Sequence, residues 1–302
     1  RQKKSWTSHT VAIIDQSGSM RAMDIEQGVT RSDLVWLTLA VDIVYNGIKD
    51  GYRKPTDVLS VIFMKNEAVP VIDRQPFDWI LYNSLIDIMN NEKPSSAGNY
   101  IPALKTAESL LMYNQSRNCA LALLFLSDGQ PSDECKPSEK AQYLNLGRSC
   151  TRFEAIEPHM LRSIEHLASN FGKRLNMCFF AIGPKEKCNE FSIMKRMANQ
   201  AKDYECPVQY QPATLNAKAL STALQTMSTT TTTTMTTLSE VPETFFFREY
   251  KKMKVSDVGS PVVTDNWKVF IQNSRKKRIN KAEWTKEDGW ITSRRFFFPS
   301  QS

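Results

Sequence analysis

A short segment near the start of the chain places one carboxylate and two hydroxyls at alternate positions, namely Asp15, Ser17 and Ser19. The segment follows an apolar run, Val11–Ile14, and includes Gly18, which gives its loop backbone freedom. A continuous apolar run bounded by such a turn is typical of a buried strand in a parallel sheet. Carboxylate and hydroxyl oxygens bind hard cations such as Mg²⁺. The pattern therefore predicts a cation site at the end of a central strand.

A second apolar run, from Cys119 to Leu126, leads directly into Ser127 and Asp128. Open α/β sheets bind ligands at the carboxyl ends of their strands, so we expect Asp128 at the same sheet edge as Asp15. The alternative is that each aspartate only caps the helix after it, which is a common role for Asp. Two buried strands that both end in such residues favour a shared site.

At these residues the chain resembles the von Willebrand factor type A domain. The metal-ion-dependent adhesion site of that family has the pattern D-x-S-x-S, then a Thr in a Gly-rich loop, and then a later Asp. The resemblance implies an α/β fold with a doubly wound, mostly parallel sheet and one antiparallel edge strand. It also implies Mg²⁺, or Mn²⁺ in its place, with the ligand set Asp15, Ser17, Ser19 and Asp128.

The Thr element is where this sequence departs from the family pattern. Residues 96–104, Ser-Ala-Gly-Asn-Tyr-Ile-Pro-Ala-Leu, correspond to G-G-T-N-x-x-P-A-L and place Gly98 at the Thr position. The missing hydroxyl removes one oxygen ligand, which water can replace because Mg²⁺ usually keeps several waters. Ser96 and Asn99, together with Gly98, are predicted as auxiliary residues of the site.

The composition of this site favours binding over catalysis. A Mg²⁺ ion with few negative ligands keeps an open position that suits an Asp or Glu carboxylate of another protein. The three histidines, His9, His159 and His166, lie away from both motifs, and His9 is expected before the first strand. The loops therefore offer no obvious general base. We expect a non-enzymatic scaffold domain that binds an acidic side chain of a protein partner.

Two other functions remain open from the sequence. Because the chain starts at Arg1 and stops inside an aromatic, basic segment, it is alternatively the regulatory or substrate-recruiting front of a larger multidomain enzyme. Some eukaryotic atypical kinases of the alpha type carry a resembling domain. The other candidate is phosphoryl transfer with Asp15 as nucleophile, as in haloacid-dehalogenase-like phosphatases. Those enzymes need a second Asp two residues on, where this chain has Ser17.

The chain is long enough for two folded units. Its 302 residues, of which 41% are hydrophobic, suffice for an α/β domain and a smaller module. We place the α/β domain at residues 5–228 and a Thr-rich linker at 229–240. The aromatic and basic residues of 241–302 predict a small β-rich module or an incomplete domain.

The net charge of +7 does not by itself indicate a nucleic-acid partner. The basic run Arg275–Arg278 matches a nuclear address or a nucleic-acid patch, but so short a run is more often a solvated turn. No nucleic-acid-binding motif surrounds it, so we expect no such partner. No apolar run approaches the ~18 residues of a membrane-spanning helix, so no membrane span is predicted.

Cysteine usage favours a cytoplasmic location. The six cysteines show no C-x-x-C spacing of a zinc or redox site. Cys119 and Cys178 fall in apolar runs and are expected to be buried thiols. The sequon at Asn114 leaves an extracellular location open, with a leader lost before Arg1.

Three local patterns describe the elements around the site. Thr30–Asp33 predicts a capping box that opens a helix. Two β-rich runs, 57–64 and 68–72, predict a hairpin at the antiparallel edge of the sheet. Pro158 predicts the first turn of a helix that extends to Phe171.

Overall fold

The computed structural model describes residues 6–24, 29–113, 119–134, 152–183, 191–214, 284–287 and 290–293. Six described strands form one sheet: β1 (Ser8–Asp15), β2 (Asp57–Met64), β3 (Ala68–Pro76), β4 (Ala120–Ser127), β5 (Leu175–Ile182) and β6 (Val208–Thr214). Their order is β3-β2-β1-β4-β5-β6. All neighbours are parallel except β2 and β3, which pair antiparallel at one edge. The predicted α/β fold, including its antiparallel edge strand, is confirmed.

Helices connect the strands and cover both faces of the sheet. The α-helices among the described residues are α1 (Arg31–Leu37), α2 (Asn46–Lys49), α3 (Trp79–Asn91), α4 (Tyr100–Met112), α5 (Arg152–Phe171) and α6 (Ser192–Lys202). A π-helical segment, Thr38–Tyr45, joins α1 to α2 in one continuous helical stretch. Short 3₁₀ turns occur at Gly18–Arg21 and Gly172–Arg174.

Burial on both faces explains why the central strands are continuous apolar runs. Along β1, Ala12 and Ile14 pack with residues of α1 and α3, whereas Val11 and Ile13 pack with residues of α4, α5 and α6. Successive strand residues point to opposite faces, so a strand covered on both sides needs an apolar residue at every position. The strands β1, β2, β4 and β5 are buried along their whole length.

The local signals at the start of α1 and at the sheet edge are confirmed. The Thr30 hydroxyl accepts a hydrogen bond from the Asp33 backbone N–H, and the Asp33 carboxylate accepts one from the Thr30 backbone N–H. The predicted hairpin is β2 and β3, and β3 extends to Pro76, beyond the expected end. Cys119 and Cys178 are buried free thiols, as expected.

Two local predictions are wrong. His9 lies inside β1, because this strand pairs with both β2 and β4 from Ser8 onward. Burial lowers the pKa of His9 to about 4, and its Nε2 lies 2.9 Å from the Ser60 hydroxyl. Pro158 lies inside α5 rather than in its first turn, because the helix begins at Arg152. Tertiary packing of its first half against the core offsets the backbone hydrogen bond that proline cannot make.

The C-terminal part of the chain is described only in two short strands. These are β7 (Trp284–Glu287) and β8 (Trp290–Ser293), which pair antiparallel. The linker predicted at 229–240 and the rest of the module predicted at 241–302 lie outside the described residues. Among the helices that the structure describes, none combines the length and the hydropathy needed to cross a bilayer.

Candidate functional site

The carboxyl ends of β1 and β4 meet at one edge of the sheet. The two strands are parallel neighbours, and their register pairs Ile14 with Leu126. Asp15 therefore lies beside Ser127 and Asp128, as the sequence predicts. The structure brings these side chains together from positions more than 100 residues apart in the chain.

The three oxygens best placed to bind a cation are those of Ser17, Ser19 and Asp128. The two hydroxyl oxygens are 2.9 Å apart. The Ser19 hydroxyl donates to Asp128 Oδ1 at 2.7 Å, and the Ser17 hydroxyl lies 3.5 Å from the same oxygen. Ser19 is exposed and Ser17 half-buried, whereas Asp128 is buried. The cluster therefore presents its hydroxyls outward and its carboxylate inward.

Asp15 lies beneath this cluster and fixes the loop. Its Oδ1 accepts the Ser17 backbone N–H at 2.7 Å, and its Oδ2 accepts the Ser127 hydroxyl at 2.6 Å. Burial, with the nearby Asp128 carboxylate as a further cause, raises the pKa of Asp15 to about 6. The side chain is thus a buried carboxyl whose negative form needs compensation by donors or by a cation.

A buried guanidinium pairs with Asp128 on the side opposite the serines. Arg31 Nη1 donates to Asp128 Oδ2 at 2.9 Å, and Arg31 also pairs with Asp24 through Nε at 3.0 Å and through Nη2. Burial raises the pKa of Asp128, while the Ser19 hydroxyl and Arg31 act in the lowering direction. The sequence analysis missed Arg31. A signal existed, because a cation at the first position of a helix is unfavourable with the helix dipole and therefore indicates another partner.

The auxiliary residues take different positions. Gly98 packs against Asp15, so that a Cβ added at Gly98 would lie 2.9 Å from Asp15 Oδ1. The Ser96 hydroxyl lies 3.3 Å from Asn66 Oδ1, and Asn99 Nδ2 donates to the Asn66 carbonyl at 2.9 Å. Ser96 contributes its backbone instead, since its carbonyl accepts the Gly18 N–H at 3.1 Å. Gly98 is the auxiliary residue whose backbone directly lines the Asp15 carboxylate.

Two further residues brace the site. Asp133 accepts hydrogen bonds from the backbone N–H groups of Tyr100 and Ile101, and so caps the start of α4 from a distant loop. The Tyr100 hydroxyl lies 2.9 Å from the Ser127 hydroxyl and 2.7 Å from the Gly129 carbonyl oxygen. These contacts hold Ser127 in place to donate to Asp15. Both Asp133 and Tyr100 were missed, because neither lies in a motif and their contacts depend on the tertiary fold.

The donor set fits Mg²⁺ or Mn²⁺ better than a softer metal. Two hydroxyls and two carboxylates supply only oxygen, which is what hard cations prefer. Among the described residues, no group of three or more His, Cys, Asp and Glu side chains is arranged to hold a metal. Ser17 and Ser19 supply the two hydroxyl oxygens of this donor set.

Comparisons with known proteins bear on the fold. No protein-family model matches the chain, and no curated protein is similar to it in sequence. Solved structures do match. The pilus adhesin SpaC from Lactobacillus rhamnosus GG has a TM-score of 0.54 at 12% identity over 99% of this chain and 38% of its own. The PilB minor pilin from Streptococcus sanguinis has a TM-score of 0.51 at 14% identity over 78% of this chain and 63% of its own.

A third match is the SpRpn10 VWA domain, with a TM-score of 0.49 at 11% identity over 72% of this chain and 94% of its own. Likeness at these identities concerns the fold alone. Together with the strand order and the antiparallel edge strand of the described sheet, the likeness to the adhesin and the pilin confirms the predicted doubly wound, mostly parallel α/β fold. The chain spans less than two thirds of the adhesin and of the pilin.

The close approach of Gly98 to Asp15 predicts that even a methyl group at this position is costly. Asp15 cannot easily move, because it is buried and both of its oxygens accept hydrogen bonds. We expect Gly98→Ala to lower the free energy of unfolding by about 1 to 3 kcal/mol, measured by urea titration.

The matched control is Gly129→Ala at the same edge of the sheet, where an added Cβ meets no atom within 4 Å. This substitution is expected to change the free energy of unfolding by no more than about 0.5 kcal/mol. Equal effects of the two substitutions would contradict the packing of Gly98 against Asp15.

The raised pKa of Asp15 predicts how stability depends on pH in the presence of a chelator. The folded chain keeps this proton up to about pH 6, whereas the unfolded carboxyl loses it near 3.8. The protonated Asp15 carboxyl therefore stabilises the fold fully below the unfolded pKa of 3.8, and this stabilisation is lost as pH rises through the folded pKa of about 6. Between about pH 5 and about pH 7, the free energy of unfolding of the wild type is expected to fall by about 1 kcal/mol relative to that of Asp15→Asn. Urea titrations at both pH values measure this; a constant or rising difference would refute the shift.

Proposed function

We propose that this chain, with its von Willebrand type A fold, is a protein-interaction domain that depends on a divalent cation. In this proposal Mg²⁺ or Mn²⁺ is held by Ser17, Ser19, Asp15 and Asp128, and the partner supplies an Asp or Glu carboxylate. The observation that carries the proposal is the convergence of the two serine hydroxyls on Asp128 Oδ1, within 2.7 to 3.5 Å.

The charges and positions of the residues support this assignment. Each serine hydroxyl can turn a lone pair toward a cation while its proton goes to a carboxylate. Ser19 already donates to Asp128 in this way. Asp15 orients the loop through the Ser17 backbone N–H. When bound, the ion would supply the open coordination position that a partner carboxylate fills.

The rim of the site suits an acidic partner. Arg21 is exposed, and its Nε donates to the Gly18 carbonyl at 3.3 Å, which keeps its charge beside the serine loop. Met23 is 64% exposed in the same loop and adds apolar area. A cation next to the hydroxyls favours the approach of a carboxylate. SpaC, which shares the fold, is described as a pilus adhesin, and a binding role on this fold supports the proposal.

The burial of Asp15 argues against phosphoryl transfer. Its carboxylate is 2% exposed, and both oxygens accept hydrogen bonds from Ser17 and Ser127. A nucleophile must reach the phosphorus atom of its substrate, and a carboxylate buried beneath the serine loop does not. The other alternative, a regulatory part of a larger multidomain enzyme, stays a prediction, as does the cytoplasmic location. A regulatory part of a larger enzyme is compatible with the binding role proposed here.

Isothermal titration with MgCl₂ and with MnCl₂ tests the metal dependence. The wild type is expected to bind either ion, and the double variant Ser17→Ala/Ser19→Ala to bind at least about 100-fold more weakly. Even residues that only orient metal ligands cost 10- to 100-fold when replaced.

The control variant is Ser84→Ala/Ser109→Ala, which removes two helical serines whose hydroxyls donate to backbone carbonyls of the preceding turn. It is expected to bind like the wild type. Equal metal affinities of the wild type and the Ser17→Ala/Ser19→Ala variant would end the proposal.

A further inference from the structure

One guanidinium at the site is buried between two carboxylates. Arg31 lies with 6% of its side chain exposed, against 1% for Asp128 and 34% for Asp24. It reaches Asp128 Oδ2 with one nitrogen and Asp24 with two. An added Cβ at Gly183, directly after β5, would lie 4.0 Å from Arg31 Cζ, so the end of β5 also limits the space around the guanidinium.

This geometry divides the Asp128 carboxylate between two cationic positions. Its Oδ1 faces the hydroxyls of Ser17 and Ser19, where the metal is proposed to bind. Its Oδ2 accepts the hydrogen bond from Arg31. A carboxylate that is almost fully buried needs a compensating charge, and Arg31 supplies one within the chain itself. A divalent ion on the other oxygen would find part of that negative charge already balanced.

We propose that Arg31 is a built-in counter-ion of Asp128 that keeps the site assembled without a metal and weakens metal binding. The inference rests on the proposed function, because it concerns the affinity of that same site. Two physical effects act in the same direction. The guanidinium neutralises Asp128, and its own positive charge repels a second cation nearby. The ion becomes exchangeable rather than a requirement for folding.

Arg31→Met separates this role from a merely structural one. The substitution leaves Asp128 buried without its partner, so the melting temperature in chelator falls. The same uncompensated charge is then available to Mg²⁺. We therefore expect at least about tenfold tighter Mg²⁺ binding by isothermal titration, and a larger rise in melting temperature on adding MgCl₂ than in the wild type. A purely structural residue would lower the melting temperature equally in chelator and in MgCl₂.

Asp24→Asn is a second variant with the opposite expected sign. Without the Asp24 carboxylate, the positive charge of Arg31 acts more strongly on Asp128. Mg²⁺ binding is therefore expected to weaken. Asp24 is partly exposed, and this variant keeps the inference testable if Arg31→Met does not fold. The control is Arg53→Met. Arg53 lies before the start of β2 and stacks on Phe77, with its Cζ 4.4 Å from the ring centroid. The melting temperature of this variant is expected to change equally with and without Mg²⁺.

The outcomes separate this inference from the proposed function. Equal or weaker Mg²⁺ binding by Arg31→Met, together with unchanged binding by Asp24→Asn, would overturn the role of Arg31 and leave the metal site standing. A complete lack of Mg²⁺ and Mn²⁺ binding by the wild type and by both variants would overturn the two proposals together. Tighter binding by Arg31→Met and weaker binding by Asp24→Asn support the inference.

Discussion

Two carboxylates buried side by side, Asp15 and Asp128, impose the arrangement of the residues around them. Burial of a carboxylate is costly unless hydrogen bonds or opposite charges compensate it, and two neighbouring ones repel each other. Asp15 is compensated by two donors, and Asp128 by hydroxyls on one side and by Arg31 on the other. The serine loop, the start of α1 and the end of β4 are held together by this need.

The main features of the fold and of the site were predictable because they depend on local patterns. Continuous apolar runs identified β1 and β4, and the polar residues after them placed Asp15 and Asp128 at one edge. Parallel strands bring their carboxyl ends to the same edge of a sheet, and the family resemblance implied that these two ends form one site. The capping box at Thr30 was equally local, since both of its hydrogen bonds join residues within one helical turn.

The remaining contacts depend on tertiary structure and could not be predicted in this way. Asp133 caps α4 from another loop, and Tyr100 braces Ser127 from a different element. His9 belongs to β1 because β2 and β4 pair with it on both sides, which its polar character concealed. The interior position of Pro158 follows from packing that outweighs a helix-breaking residue. Gly98 shows the same limit, since only the structure reveals that the Asp15 carboxylate lies where a side chain would begin.

The fold alone does not determine function, so the assignment depends on the chemistry of this one edge. The proposed assignment requires that Ser17 and Ser19 bind a divalent ion directly. Crystals soaked in MnCl₂ and measured at the manganese absorption edge test it most directly. We expect an anomalous peak within bonding distance of both hydroxyl oxygens and beside Asp128 Oδ1. The absence of an anomalous peak beside these serines, with the Ser19–Asp128 hydrogen bond intact, would contradict direct binding of the ion.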